Sequence, residues 1–190
     1  MRVPRTPKTS ALLAVCIALV LGAAVLPAQA QVYFTPRSVL AAFFPGSQRV
    51  TYRTFTLSPE QRARLTQRLG APPPKSAYNF YVALSGENVD GYALLDEARG
   101  QYMPISFAVK LSPKGAVERL EIMVYREQYG SEVKSDRFCR QFAGKTLADP
   151  LLLGDDVLIV SGASVSSRAL TDGVRRSLIL FDELFHSPSP

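Results

Sequence analysis

Histidine and cysteine are scarce in this chain: one histidine and two cysteines among 190 residues. The lone histidine, His186, lies four residues from the C-terminus, and a frayed tail is a poor place for a histidine that a third group must hold, so a serine–histidine catalytic pair is not expected. No Cys/His cluster has metal-ligand spacing, so no zinc site is expected. Acidic residues are missing from the first 30 positions, which hold only Arg2, Arg5 and Lys8 as charged groups. An uncharged apolar run, Ala11 to Leu26, follows, and Ala28-Gln29-Ala30 is an A-x-A site. That order is the signature of a secretory signal peptide cleaved after Ala30, with the periplasm as destination. The run is short for a bilayer span.

Export removes one of the two cysteines. Cys139 is then alone, so no internal disulfide forms, and its apolar surroundings (Phe138, Phe142) suit a buried structural thiol. Export also removes three basic residues, leaving 22 − 3 = 19 basic against 16 acidic and a formal charge of +3. A surplus that small gives no case for nucleic-acid binding.

The length of the remainder suits one compact unit. Pro36 to Phe44 reads as a short helix and Arg49 to Leu57 as a strand. Ser58-Pro59-Glu60-Gln61 opens a helix by N-cap, first-turn proline and capping box, and Gly70 ends it. Four strands follow: Ala77 to Leu84, Gly91 to Glu97, Ile105 to Leu111 and Val117 to Tyr125. Short turns between them favour an antiparallel meander. A helix is expected over Ser131 to Phe142. The last begins near Ser166 and ends at about Phe185, with Leu170, Val174, Leu178, Phe181 and Leu184 on its inner face and Arg168, Arg175, Arg176 and Asp182 towards solvent. The fold class is therefore α+β, an antiparallel sheet flanked by helices. Residues 31–85 carry no recognisable motif and are expected to pack on the core as an N-terminal extension. Residues 86–186 form the main domain, and 187–190 a disordered tail.

Before the last helix stands Ser161-Gly162-Ala163-Ser164-Val165-Ser166-Ser167. Small residues opening a helix leave backbone N–H groups free for a phosphate or another anion. The same residues also suit a plain helix cap at Ser166 or Ser167. The stretch resembles the flavinylation motif of the FMN-binding domain family, known from covalent-flavin subunits of the Rnf complex and of the sodium-pumping NADH:quinone oxidoreductase, and from small exported stand-alone proteins. Gly91-Tyr92-Ala93 with Gly100, then Tyr125 to Gly130, then Gln141-Phe142-Ala143-Gly144-Lys145 resemble further family segments in the same order.

The resemblance implies FMN as cofactor, joined by its phosphate to the hydroxyl of Ser164. A flavin transferase would make the bond, and a membrane or periplasmic redox protein would exchange electrons with it. Ser161, Gly162, Ala163 and Ser167 would shape the phosphate site. Tyr125, Arg126, Glu127, Tyr129 and Gly130 would lie near the ring, with the tyrosines available for stacking. No catalytic side chain is implied, and an electron carrier fits better than a stand-alone catalyst. A small flavin-dependent reductase, or a flavin-free binding or sensory module, are the other readings. The family pattern places an acid three residues before Ser161, where this chain has Leu158; Asp155 and Asp156 stand close by and substitute if the loop is shifted.

Overall fold

The computed structural model describes residues 30–186. Apart from Ala30, the expected signal peptide lies outside the described residues, as does the expected tail, Ser187 to Pro190. The described chain builds one six-stranded antiparallel sheet in the order β1-β6-β5-β4-β3-β2. β1 is only Gln31–Val32, paired to the end of β6 (Val117–Tyr125). Helix α1, Pro36–Phe43, then crosses one face to the opposite edge. From there β2 (Arg49–Thr56), β3 (Ala77–Ser85), β4 (Asn88–Arg99), β5 (Pro104–Leu111) and β6 return as a meander. The strands of the expected extension thus close both edges of the sheet, and β3 continues into β4 across residue 86.

Local sequence explains the elements. Thr35 caps α1, its hydroxyl accepting from the Ser38 N–H. Ser58 and Gln61 form the expected capping box of α2 (Pro59–Leu69), and Gly70 ends it at φ 75°. Such a cap stabilises a helix by about 1 kcal/mol. Strand alternation sorts side chains between the faces. Ala83, Ala93, Ala108 and Met123 meet Val39, Phe43 and Phe44 on the α1 side; the three alanines let α1 lie close. The other face presents Phe80, Leu94, Ile105, Phe107, Val109, Leu120 and Ile122 to the long helix α4, Ser164–Phe185. Leu170, Val174, Leu178 and Phe181 of α4 are buried there, as their spacing requires.

Two expectations need correction. The single helix over 131–142 is broken into turns Ser131–Lys134, Asp136–Cys139 (α3) and Arg140–Phe142. Ser135 is the break, extended at φ −61° and ψ 142°. Arg176 does not face solvent. Its guanidinium donates to the buried Asp96 carboxylate at 3.0 Å from Nε and 2.9 Å from Nη2. Lys75 Nζ completes the trio at 2.6 Å from Asp96, tying α4, β4 and the α2–β3 connector together. Glu183, equally buried, holds α2 to α4 through Arg64.

Gly173 marks a close approach of α4 to the sheet. A Cβ there would meet the Phe107 ring at 2.8 Å, and Phe107 is fully buried. Alanine would gain up to about 1 kcal/mol of helix propensity, whereas overpacking a closed core costs about 1–3 kcal/mol. Gly173→Ala should therefore lower the urea midpoint with an unchanged m-value; a midpoint that stays or rises would show that α4 is not pressed on Phe107.

Candidate functional site

Two chain segments meet at the end of the sheet where β6 finishes and α4 begins. Gly162 sits at φ 78° in a tight turn closed by the Ala163 N–H donating to the Val160 carbonyl at 3.0 Å. Only glycine adopts that φ without strain. Ala163 is the N-cap of α4, so the helix starts two residues earlier than expected and neither Ser166 nor Ser167 is its cap. No side chain caps this end, and the first turn holds no acid. The first helical hydrogen bond runs from Ser167 N–H to Ala163 C=O, at 2.8 Å. The N–H groups of Ser164, Val165 and Ser166 therefore open outward without an intrahelical acceptor, at the positive end of the helix dipole.

The serines of the motif have separate fates. Ser164 is exposed at the first helical position. Ser166 is buried, and its hydroxyl pairs with the Tyr125 hydroxyl at 2.9 Å. Ser167 is fully buried, and its Oγ accepts from the Val160 N–H at 3.3 Å, so it closes the loop. Ser161 is exposed but faces a neighbouring groove with Gln141 and Leu158.

The opposite wall is the turn after β6. Tyr125 is buried and donates its hydroxyl to the Tyr129 carbonyl as well. Burial pushes that hydroxyl's pKa up, against the opposing pull of Ser166. A ring enclosed in this way has no open face, so the expected stacking role of Tyr125 is replaced by a structural one. Tyr129, 74% exposed, keeps its ring free. Gly130 stands at φ 86° where the two walls touch: a Cβ would meet the Tyr125 hydroxyl at 2.8 Å and Ser166 Oγ at 3.0 Å. Glu127 folds back on a third segment, accepting from the Tyr102 N–H at 2.7 Å and the Met103 N–H at 3.0 Å. Gly100 leaves room for that carboxylate. Arg126 turns away, donating to the Pro104 carbonyl at 3.1 Å and Ser106 Oγ at 2.9 Å.

Between these walls is a cleft of about 110 Å³. It brings together Glu127, Tyr129, Gly130, Gly162, Ala163 and Ser164 of the expected set, but not Ser161, Ser167, Tyr125 or Arg126. Gln101, Tyr102, Gln128, Val165 and Ser166 also line it. Sequence reasoning stopped at Gly100 and passed over Gln101 and Tyr102, because a polar turn after a glycine carries no periodic signal. Only the long-range bond to Glu127 reveals its place.

The segment Gln141 to Lys145 has a visible task. Gln141 grips the Leu158 backbone, its Oε1 accepting from Leu158 N–H at 2.7 Å and its Nε2 donating to Leu158 C=O at 3.4 Å. Lys145 pairs with Asp156 at 2.8 Å. Asp156 also accepts from the N–H groups of Leu151 (3.1 Å) and Leu152 (2.7 Å). Burial raises its carboxyl pKa, but Lys145 and those amides prevail, leaving it below the usual carboxylate range. Asp156 is thus engaged in holding the loop. Cys139 is no nucleophile: burial pushes its thiol up to about 12, and it donates to the Val133 carbonyl.

Residues 100–179 match the FMN-binding domain family. This chain carries an FMN-binding domain, and FMN is its cofactor. The fold agrees. NqrC of Shewanella oneidensis superposes with a TM-score of 0.52 at 15% identity, covering 75% of this chain and 84% of that one. A component of the Na(+)-translocating NADH-quinone reductase from Parabacteroides distasonis gives 0.52 at 12% identity, covering 82% and 86%. At such identities the likeness shows the fold alone. No curated protein sequence matches the chain significantly. The residues present fit an FMN phosphate: free amides at a dipole's positive end, small residues beside them, and an open hydroxyl.

Gly130→Ala should cost about 2 kcal/mol or more, from left-handed backbone strain and contact with two buried hydroxyls. It should also loosen the seating of FMN against the cleft, read as a rise in flavin fluorescence towards that of free FMN. Unchanged stability and unchanged flavin fluorescence would mean the two walls do not meet at Gly130.

Proposed function

We propose that this protein is an exported electron carrier whose FMN is joined by a phosphoester to Ser164. The observation that carries this reading is the position of one hydroxyl. Of the four motif serines, Ser164 alone is both exposed and at the cleft, on the helix turn whose first three amides are open. A phosphate on its Oγ can reach those amides, an arrangement suited to anions at helix starts.

The size of the cleft supports a covalent bond. A pocket that buries a whole drug-sized ligand has roughly 300–1,000 Å³, against about 110 Å³ here. The cleft takes the phosphate end of FMN and leaves much of the molecule at the surface. Such a ligand is held weakly unless it is tethered, and a tether makes rebinding intramolecular. Export sharpens the need, because a flavin lost outside the cytoplasm is not readily replaced. The periplasm is the proposed location, after cleavage behind Ala30. A flavin transferase is the proposed maturation partner.

FMN supplies the redox chemistry; the protein's residues bind and orient it. Glu127 fixes the Tyr102 turn beside the cleft, and Tyr129 offers an exposed ring face. The same small cleft favours a carrier over a reductase, since it leaves no enclosed space for a substrate beside the ring. A membrane or periplasmic redox protein would then approach the exposed flavin directly.

The test is the intact mass of the protein exported in a host with an active flavin transferase, beside Ser164→Ala. Wild type should gain one FMN less one water, and the variant should not. An unmodified wild type that is yellow would replace the covalent reading with a dissociable one, and an unmodified colourless protein would remove the carrier reading altogether.

A further inference from the structure

We infer that Arg168 is the cation of the phosphate subsite, its guanidinium reaching back one helical turn to the phosphoester on Ser164. The inference rests on the covalent reading above. A phosphodiester carries a negative charge, yet among the described residues Glu127 is the only charged one lining the cleft, and it is an acid. The dipole of α4 offers roughly half a positive charge, which does not offset both. A cation must come from outside the lining.

Two basic residues of the motif segments, Arg126 and Lys145, are already engaged. Arg126 is spent on Pro104, Ser106 and, at 3.9 Å, Glu97. Lys145 is spent on Asp156 at 2.8 Å. Arg168 is exposed and, among the described residues, makes no hydrogen bond or ion pair. It follows Ser164 by four positions in one continuous helix, so the two share a face. Long side chains in a helix lean towards its N-terminus and cover the preceding turn. The Arg168 guanidinium therefore covers the turn that begins at Ser164. Its planar fork matches two phosphate oxygens, which a lysine ammonium does not.

A merely structural arginine would change the stability of the protein whether or not flavin is attached. A phosphate-binding arginine changes only the gain that attachment brings. The experiment therefore measures thermal midpoints of flavinylated and unflavinylated protein for wild type, Arg168→Ala, Arg168→Lys and Arg168→Glu, with flavin content checked by mass. The unflavinylated forms should melt within about 1 °C of one another. On flavinylation wild type should rise by about 2 °C more than Arg168→Ala. Arg168→Lys should keep part of that excess, and Arg168→Glu should fall below Arg168→Ala. The excess should shrink in about 1 M salt, as expected for an exposed pair. Equal gains in all four proteins would overturn the inference while leaving the ester on Ser164 intact. A wild type without flavin would be seen in the mass before any melting, and would overturn both.

Discussion

The contact between Tyr125 and Ser166 holds the site together. One hydroxyl belongs to the last residue of β6, the other to the first turn of α4. The tyrosine hydroxyl is buried, so it must find partners, and it finds them in both walls of the cleft: Ser166 on one side and the Tyr129 carbonyl on the other. Gly130 is needed because no larger residue fits between those groups. The register of the sheet and the start of the long helix are thereby locked to each other. The helix end points its free amides at a fixed place, and Ser164 is held at the rim of that place.

The rest of the fold supports this junction from behind. Asp96, buried between Arg176 and Lys75, fixes α4 along β4, and Glu183 fixes it to α2. Breaking a buried pair leaves an uncompensated charge, so these contacts resist sliding of the helix. From the other side, Gln141 and Lys145 grip the chain that leads into the motif. The cleft is thus braced by α4 on one flank and by the 141–158 loop on the other. Preorganisation of this kind matters most when the pocket is shallow and little cofactor surface is buried.

Much of the architecture could be read from the sequence for physical reasons that can be named. Ser58, Pro59, Gln61 and Gly70 marked α2 because capping chemistry is local. The strands were legible because each face of the sheet has its own partner, and alternation records that. The 131–142 stretch was misread because its apolar residues are spaced as in a helix, whereas an extended Ser135 splits it. Arg176 was misplaced because a buried ion pair with a strand 80 positions away leaves no local mark. At the site, Ser164 and Gly162 stood out by their place before a helix. Ser167 and Tyr125 exchanged a functional expectation for a structural one, since burial is a property of the assembled fold.

The central claim is that flavin phosphate on Ser164 rests against the open end of α4. It is tested most directly by comparing backbone amide resonances of the flavinylated protein with those of Ser164→Ala. The account predicts the largest shifts at the Val165 and Ser166 amides, with a second set at Tyr129 and Gly130 from the facing wall. Largest shifts elsewhere, such as around the separate cavity between Glu118 and Arg140, with the α4 amides unmoved, would contradict it.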